Sequence, residues 1–380
     1  MEVVVAGIGM HPFGRTPGMT GRQQGAYAVR AALADAGITW RDVQFAAGGS
    51  LSAGSADTLV ADLGLSGVPF INVSNGCATG GSALVVAADA IESGRADIAL
   101  AVGFDAHGRG AFTAQPADWG LRDSYGERGL MLTTQFFGMR TQRYLHDHDL
   151  DPHLLALAAE RAFRNGSRYE MAWRRKALSA ADVAASDLVA DPLRQFMLCS
   201  PGEGGVALVL CRSDLADRFP NPAVRLGAVS MCTRQFGSFE VFSPWLAPER
   251  GPSPTEDAAA RCFEQAAVDP ADVDVAQVQD TDSGSELIHL AETGLCAHGD
   301  QDRLLRTGAT EIDGELPINT DGGCLAMGEP IGASGLRQVH EVVLQLRGAA
   351  GERQVPGDPR VGFTHVYGAP GVSACTVLTR

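Results

Sequence analysis

The chain has 380 residues, 45% hydrophobic and 20% charged, with a net charge of −15. This composition excludes a disordered chain, and the acidic balance argues against a nucleic-acid surface as the main function, although a local run such as Arg174-Arg175-Lys176 still suits a small polyanion. Eight scattered cysteines without a CxxC pair fit a reducing cytoplasm better than a disulfide or zinc scaffold, and no apolar run reaches the roughly 18 residues of a membrane span.

The first residues, Glu2 to Gly7, read as a strand with no basic leader before it, so a cytoplasmic chain is expected. Leu33 to Ala46 reads as a helix end, a polar turn containing Asp42-Val43 and an apolar strand. Val68-Pro69-Phe70-Ile71-Asn72-Val73 is a further apolar run, followed by the glycine-rich turn Asn75-Gly76-Cys77-Ala78-Thr79-Gly80-Gly81 and a helix from Ser82 to Ile91. A thiol at such a strand-to-helix turn faces the positive end of the helix dipole, which favours a thiolate nucleophile, and the glycines admit backbone N–H groups and substrate. A small buried cysteine in a tight turn is the plainer alternative. After the strand Asp97–Gly103, residues of about 110–195 are less regular and more polar, as expected of an inserted cap or binding-loop region. Met131, Leu132, Phe136, Phe137 and Met139 within it suit either an acyl pocket or a core. The cluster His146-Asp147-His148 with His153 reads as a solvated turn, and no metal site is expected.

Gly205–Leu210 returns the chain to the first sheet. Gly251-Pro252-Ser253-Pro254-Thr255 reads as a join, with Thr255 as helix N-cap. Phe263 to Ala276 then repeats the helix–turn–strand pattern of Leu33 to Ala46. Ile331-Gly332-Ala333-Ser334-Gly335 with its apolar helix matches the Cys77 turn with its own, and Arg360–His365 matches Asp97–Gly103. Two copies of one unit in the same order indicate a duplicated α/β fold, with halves expected at 1–250 and 251–380. His365 follows the last of these strands and precedes a glycine turn, a common place for a functional side chain at a sheet's carboxyl end; satisfying loop backbone is its ordinary alternative. Tyr367 is a weaker acid–base candidate, and Cys199, Cys296 and Cys324 read as packed or near-site thiols.

Asn75-Gly76-Cys77-Ala78, Leu316-Pro317-Ile318-Asn319-Thr320-Asp321-Gly322-Gly323 and Gly328-Glu329-Pro330-Ile331-Gly332-Ala333-Ser334-Gly335, together with Cys199-Ser200-Pro201-Gly202-Glu203-Gly204-Gly205, resemble the thiolase superfamily over essentially the full length, and within it the sterol-carrier-protein-type branch. The resemblance implies the thiolase fold, two duplicated α/β halves in a five-layer α-β-α-β-α sandwich. It also implies a homodimer, a coenzyme A thioester as substrate with no permanently bound cofactor, acyl transfer to Cys77, and pantetheine lying near Ser334 and Gly335.

The sequence departs from that pattern where chemistry is concentrated. An HDCF-like motif of the branch reads Gln279-Asp280-Thr281-Asp282 here, leaving Gln279 and Asp280 as accessory candidates without the second thiol. The family's GHP reads Gly328-Glu329-Pro330, so Glu329 replaces the histidine that activates the cysteine. A buried glutamate can act as a base or acid, but a carboxylate beside Cys77 opposes the thiolate. Three functions follow. One is acyl transfer or carbon–carbon chemistry through Cys77, with Glu329 and His365 carrying protons. Another is retro-aldol cleavage of a β-hydroxyacyl-CoA with a zinc-bearing OB-fold partner, as in related aldolases. The third is a non-catalytic subunit that binds acyl-CoA.

Overall fold

The computed structural model describes residues 2–110, 112–238, 240 and 250–380. Among these, nine strands form one sheet: β1 (Val3–Gly14), β2 (Phe45–Gly49), β3 (Phe70–Asn72), β4 (Ile98–Ala106), β5 (Glu203–Arg212), β6 (Val224–Thr233), β7 (Val275–Val278), β8 (Val361–Gly368) and β9 (Val372–Thr379). Their order is β3-β2-β4-β5-β1-β6-β9-β8-β7. β2 lies parallel to β3 and β4, and β5 runs antiparallel between β4 and β1. The second half repeats this arrangement, with β7 parallel to β8 and β9 antiparallel between β8 and β6. Ile318 bridges Ala276 in parallel, as β3 does β2. The fold is the duplicated α/β architecture expected from the repeat in the chain.

Within the sheet, among the described residues, the halves are joined by three residue pairs, Val3–Val5 of β1 against Val224–Leu226 of β6. Because β6 pairs along its length with β9, the second half of the sheet takes its first strand from before residue 251. A division at 250/251 separates β6 from its sheet partner, and residues 241–249 lie outside the described residues.

Helices fill the remaining layers. α1 (Gly21–Ala36) covers one outer face through Val29 and Leu33 against Ala6, Leu100, Val102 and Val209. α2 (Thr79–Glu92) lies in the middle, where Leu84 and Ala87 pack with Val5, Ala99 and Leu208, and with Leu336 and Val339 of a second central helix. On the other outer face, α5 (Pro254–Ala266) packs Ala259 and Phe263 against Phe363, Cys375 and Val377. Its N-cap is Ser253 rather than Thr255: Ser253 Oγ accepts from Glu256 N at 3.1 Å, and Pro254 presets the first helical φ.

The inserted segment is more ordered than its polarity suggests. It contains α3 (Thr133–Asp147) and α4 (His153–Ser167), between α2 and α5 in the chain, and buries Phe136, Leu154, Phe163 and Leu193 in a cluster of its own. α6 (Ser283–Glu292) closes this cluster with Leu287 and also joins the outer layer through Leu290. The second central helix, α7 (Ser334–Leu346), crosses α2 so closely that a Cβ on Gly80 would lie 2.9 Å from Leu336 N, and one on Gly335 2.8 Å from Gly81 N. Bulk at either crossing drives the layers apart.

Leu84 is fully buried where both central helices meet the first half-sheet. Leu84→Ala is expected to cost about 2–5 kcal/mol, read as a lower urea midpoint at unchanged slope.

Candidate active site

The turn from Asn75 to Ala78 delivers Cys77 to the start of α2. Asn75 N donates to Thr79 Oγ1 at 2.9 Å, and Asn75 Nδ2 donates to Ser82 Oγ at 2.8 Å, so the first turn of the helix fixes the loop before it. The loop after β8 closes over the same turn: a Cβ on Gly368 would lie 2.3 Å from Asn75 O and 2.7 Å from Ala78 N. Cys77 is half-buried.

Glu329 is its main electrostatic neighbour. The carboxylate is fully buried; Oε1 accepts from Ser334 Oγ at 2.7 Å and from Gln279 Nε2 at 3.2 Å, while Oε2 has no hydrogen-bond partner. Burial is the largest cause that pushes the Cys77 thiol well above its ordinary value, followed by the charge and hydrogen-bonding of Glu329, then Cys199 and Asp105. The helix dipole is therefore outweighed, and a standing thiolate is disfavoured. Cys199 and Cys324 are also raised by burial first and Glu329 next. Asp105, in contrast, is held at about 2: burial pushes it up, but His107 and the backbone N–H groups of Leu51 and Ser52 outweigh that.

The other sequence candidates separate into helpers and structural groups. Gln279 links Glu329 to Gln338 Nε2 at 3.2 Å and accepts His289 Nδ1 at its carbonyl, 2.7 Å away. Asp280 instead caps the short helix Gly323–Met327, accepting from Cys324 N at 2.6 Å and Leu325 N at 3.3 Å. Ser334 holds Glu329, and Gly335 serves the helix crossing; both are buried. His365 is also fully buried, its Nε2 3.1 Å from Thr255 Oγ1 and 3.2 Å from Ser373 Oγ, and burial followed by Arg140 lowers it to about 3. It packs on His289 at 4.5 Å and stays neutral, which removes it from the exposed part of the site. Tyr367 donates to Glu240 Oε2 at 2.5 Å, and burial, the largest cause, raises Glu240 to about 7.

A cavity of about 570 Å³ opens beside this centre. Phe112, Phe137, Val189 and Leu198 form its apolar wall; Arg15, Arg109 and Arg174 form a cationic one around Trp173, with Arg15 5.3 Å and Arg174 5.8 Å from that ring. Cys199 and Thr281 also line it. Of the five apolar residues singled out in the insertion, Phe137 reaches the cavity, whereas Met131 and Phe136 belong to the core and Met139 is exposed. Sequence reasoning missed Arg15, Arg109, Trp173 and the group Arg140–Glu240–His289, which come together only through tertiary contacts. The basic run beginning at Arg174 was the available signal for the cationic wall. His148 stacks on His298 at 4.8 Å, and among the described residues no cluster of three or more His, Cys, Asp or Glu could hold a metal ion.

Two measurements check these electrostatics. Glu329→Gln keeps the shape but removes the charge, so alkylation of Cys77 at pH 8, mapped by mass, is expected to speed up about tenfold. Glu240 has its folded pKa raised, so its contribution to stability is present below pH 4.5 and is lost as pH rises towards 7. Relative to Glu240→Gln, the native protein is expected to lose about 3 kcal/mol across that window in urea titrations.

The family model "Thiolase, N-terminal domain" matches residues 3–174, and "Thiolase C-terminal domain-like" matches residues 248–380. Sterol carrier protein 2 of Bos taurus is 31% identical over 99% of this chain and 72% of its own length. An acetyl-CoA acetyltransferase of Methanothermobacter thermautotrophicus is 30% identical over the whole of both chains, and the benzoylsuccinyl-CoA thiolase subunit BbsB of Thauera aromatica is 28% identical over 97% and 94%. Among solved structures, the Ltp2-ChsH2(DUF35) aldolase superimposes with a TM-score of 0.87 at 23% identity, over 100% of this chain and 97% of that one. With the duplicated sheet and the cysteine at the head of a central helix, these matches place the chain in the thiolase superfamily, in its sterol-carrier-protein-type branch.

Proposed function

We propose that this thiolase-family protein cleaves a β-hydroxyacyl-CoA by a retro-aldol reaction, with Glu329 as the base. The observation that carries this reading is the buried, unpartnered Oε2 of Glu329 beside a thiol that is held in its neutral form. A retro-aldol step needs a base for the β-hydroxyl and a donor environment for the enolate, and it needs no thiolate. The thioester enters through the 570 Å³ cavity, with the CoA phosphates against Arg15, Arg109 and Arg174 and the acyl group against Phe112, Phe137 and Leu198. No permanently bound cofactor is invoked.

A second reading, acyl transfer through Cys77, is favoured by the placement of that residue at the N-terminus of α2. It requires Glu329 to take the thiol proton during attack. The superposition with an aldolase that contains a DUF35 chain motivates an OB-fold partner for this protein. Strand β3 lies at the sheet edge with Ile71 40% exposed, which supports a homodimer formed there. The eight unpaired cysteines suit a cytoplasmic location, and no helix among the described residues is long and apolar enough to cross a membrane.

The deciding experiment screens β-hydroxyacyl-CoA thioesters, with and without an OB-fold partner, and detects the carbonyl product and the shortened acyl-CoA by mass. Cleavage is expected to fall about 100-fold or more in Glu329→Gln and to survive in Cys77→Ala. A stable acyl adduct on Cys77 together with complete loss in Cys77→Ala overturns this in favour of acyl transfer. Tight thioester binding without turnover under either condition supports the binding-subunit function.

A further inference from the structure

We infer that the Cys199 thiol is the second proton carrier of this site, giving a proton to the α-carbon of the thioester enolate and recovering it from Glu329. The inference rests on the carbon–carbon cleavage reading above and adds a residue to which no role has been assigned.

Position 281, where the resemblance places the family's second thiol, is threonine here; the residue lines the cavity, and its Oγ1 is buried without a partner. Cys199 lies directly beside it. Cys199 N donates to Thr281 O at 2.9 Å, and Leu198 bridges Asp282, so the two segments run side by side. On its other flank, Glu329 N donates to Ser200 O at 2.9 Å and Gly202 N to Glu329 O at 3.2 Å. The segment 198–202 is thus held between the Thr281 segment and the backbone of Glu329, and Cys199 lines the cavity from within it. Cys324 also senses Glu329 but is fully buried and does not reach the cavity. The buried, unpartnered Oγ1 of Thr281, a residue of the cavity lining, is the second, independent feature that points to a ligand here.

The cycle balances without a further reactant. The Glu329 carboxylate takes the β-hydroxyl proton, the Cα–Cβ bond breaks, and its electron pair becomes the thioester enolate while the carbonyl product departs. Cys199 S–H then protonates Cα, and the resulting thiolate takes the proton held by Glu329. A donor to carbon must keep its proton at neutral pH; burial, Glu329 and Asp280 raise the Cys199 thiol well above its ordinary value, against a smaller opposing effect of Arg174.

The test uses the full-length protein and propionyl-CoA in D2O, with α-deuterium incorporation followed by mass. This half-reaction requires enolisation but no β-hydroxyl. Wild type is expected to exchange, Cys199→Ser to slow exchange about 100-fold or more, and the double variant Cys199→Ser/Thr281→Cys to recover it by presenting a thiol from the adjacent segment. Thermal melts verify that each variant is folded. Exchange within threefold of wild type in Cys199→Ser overturns the assignment, as does loss in both folded variants or no exchange in wild type. If wild type cleaves no β-hydroxyacyl-CoA yet exchanges propionyl-CoA through Cys199, the cleavage reading fails and the proton-carrier role stands.

Discussion

Glu329 brings a carboxylate into the fully buried middle of the protein, with one oxygen held by Gln279 and Ser334 and the other without a hydrogen-bond partner. Such burial costs several kcal/mol unless the group finds a proton, a donor or a counter-charge. The surroundings of Glu329 follow from that constraint. Gln279 must present its amide and is fixed through Gln338 and His289; Ser334 must donate its hydroxyl to Glu329. The nearby thiols stay protonated because a negative charge beside another carries a large penalty in a low dielectric.

The site can tolerate this arrangement because the framework around it is stiff. α2 and α7 cross through glycines with no space for a side chain, and the loop after β8 rests on the Cys77 turn with similar tightness. Below them, buried charges are matched individually: Arg337 with Asp321, Arg161 with Glu286, and Arg353 with Glu341. These pairs fix orientation more than they add net stability, since each charge must first leave water. The cluster of Arg140, Glu292, Glu240 and Tyr367 obeys the same rule, and burial above all, with Glu292 adding to it against Arg140, draws Glu240 towards its neutral form.

The cavity supplies what the buried centre lacks. Its arginines concentrate positive charge on a strongly acidic chain, and aromatic and aliphatic side chains line it with them. A thioester joins a polyanionic carrier to an apolar group, so a cavity lined by both kinds of side chain suits it. Cys199 and Thr281 line the cavity, Cys199 on the segment whose backbone is hydrogen-bonded to that of Glu329.

The duplicated fold was legible in the chain because strand, turn and helix periodicity recur in both halves, from Leu33–Ala46 to Phe263–Ala276. The glycine-framed Cys77 and the substitutions at 279, 281 and 329 were also visible, since motifs are local in sequence. The membership of β6 was not visible, because pairing with β9 links residues more than a hundred positions apart. Side-chain direction was equally hidden. Only packing buried Ser334, Gly335 and His365, made Asp280 a helix cap, and brought Arg15, Cys199 and Thr281 to one cavity. Sequence by itself determined which chemistry was present; the tertiary structure decided which groups face one another, because burial and contact belong to the folded chain.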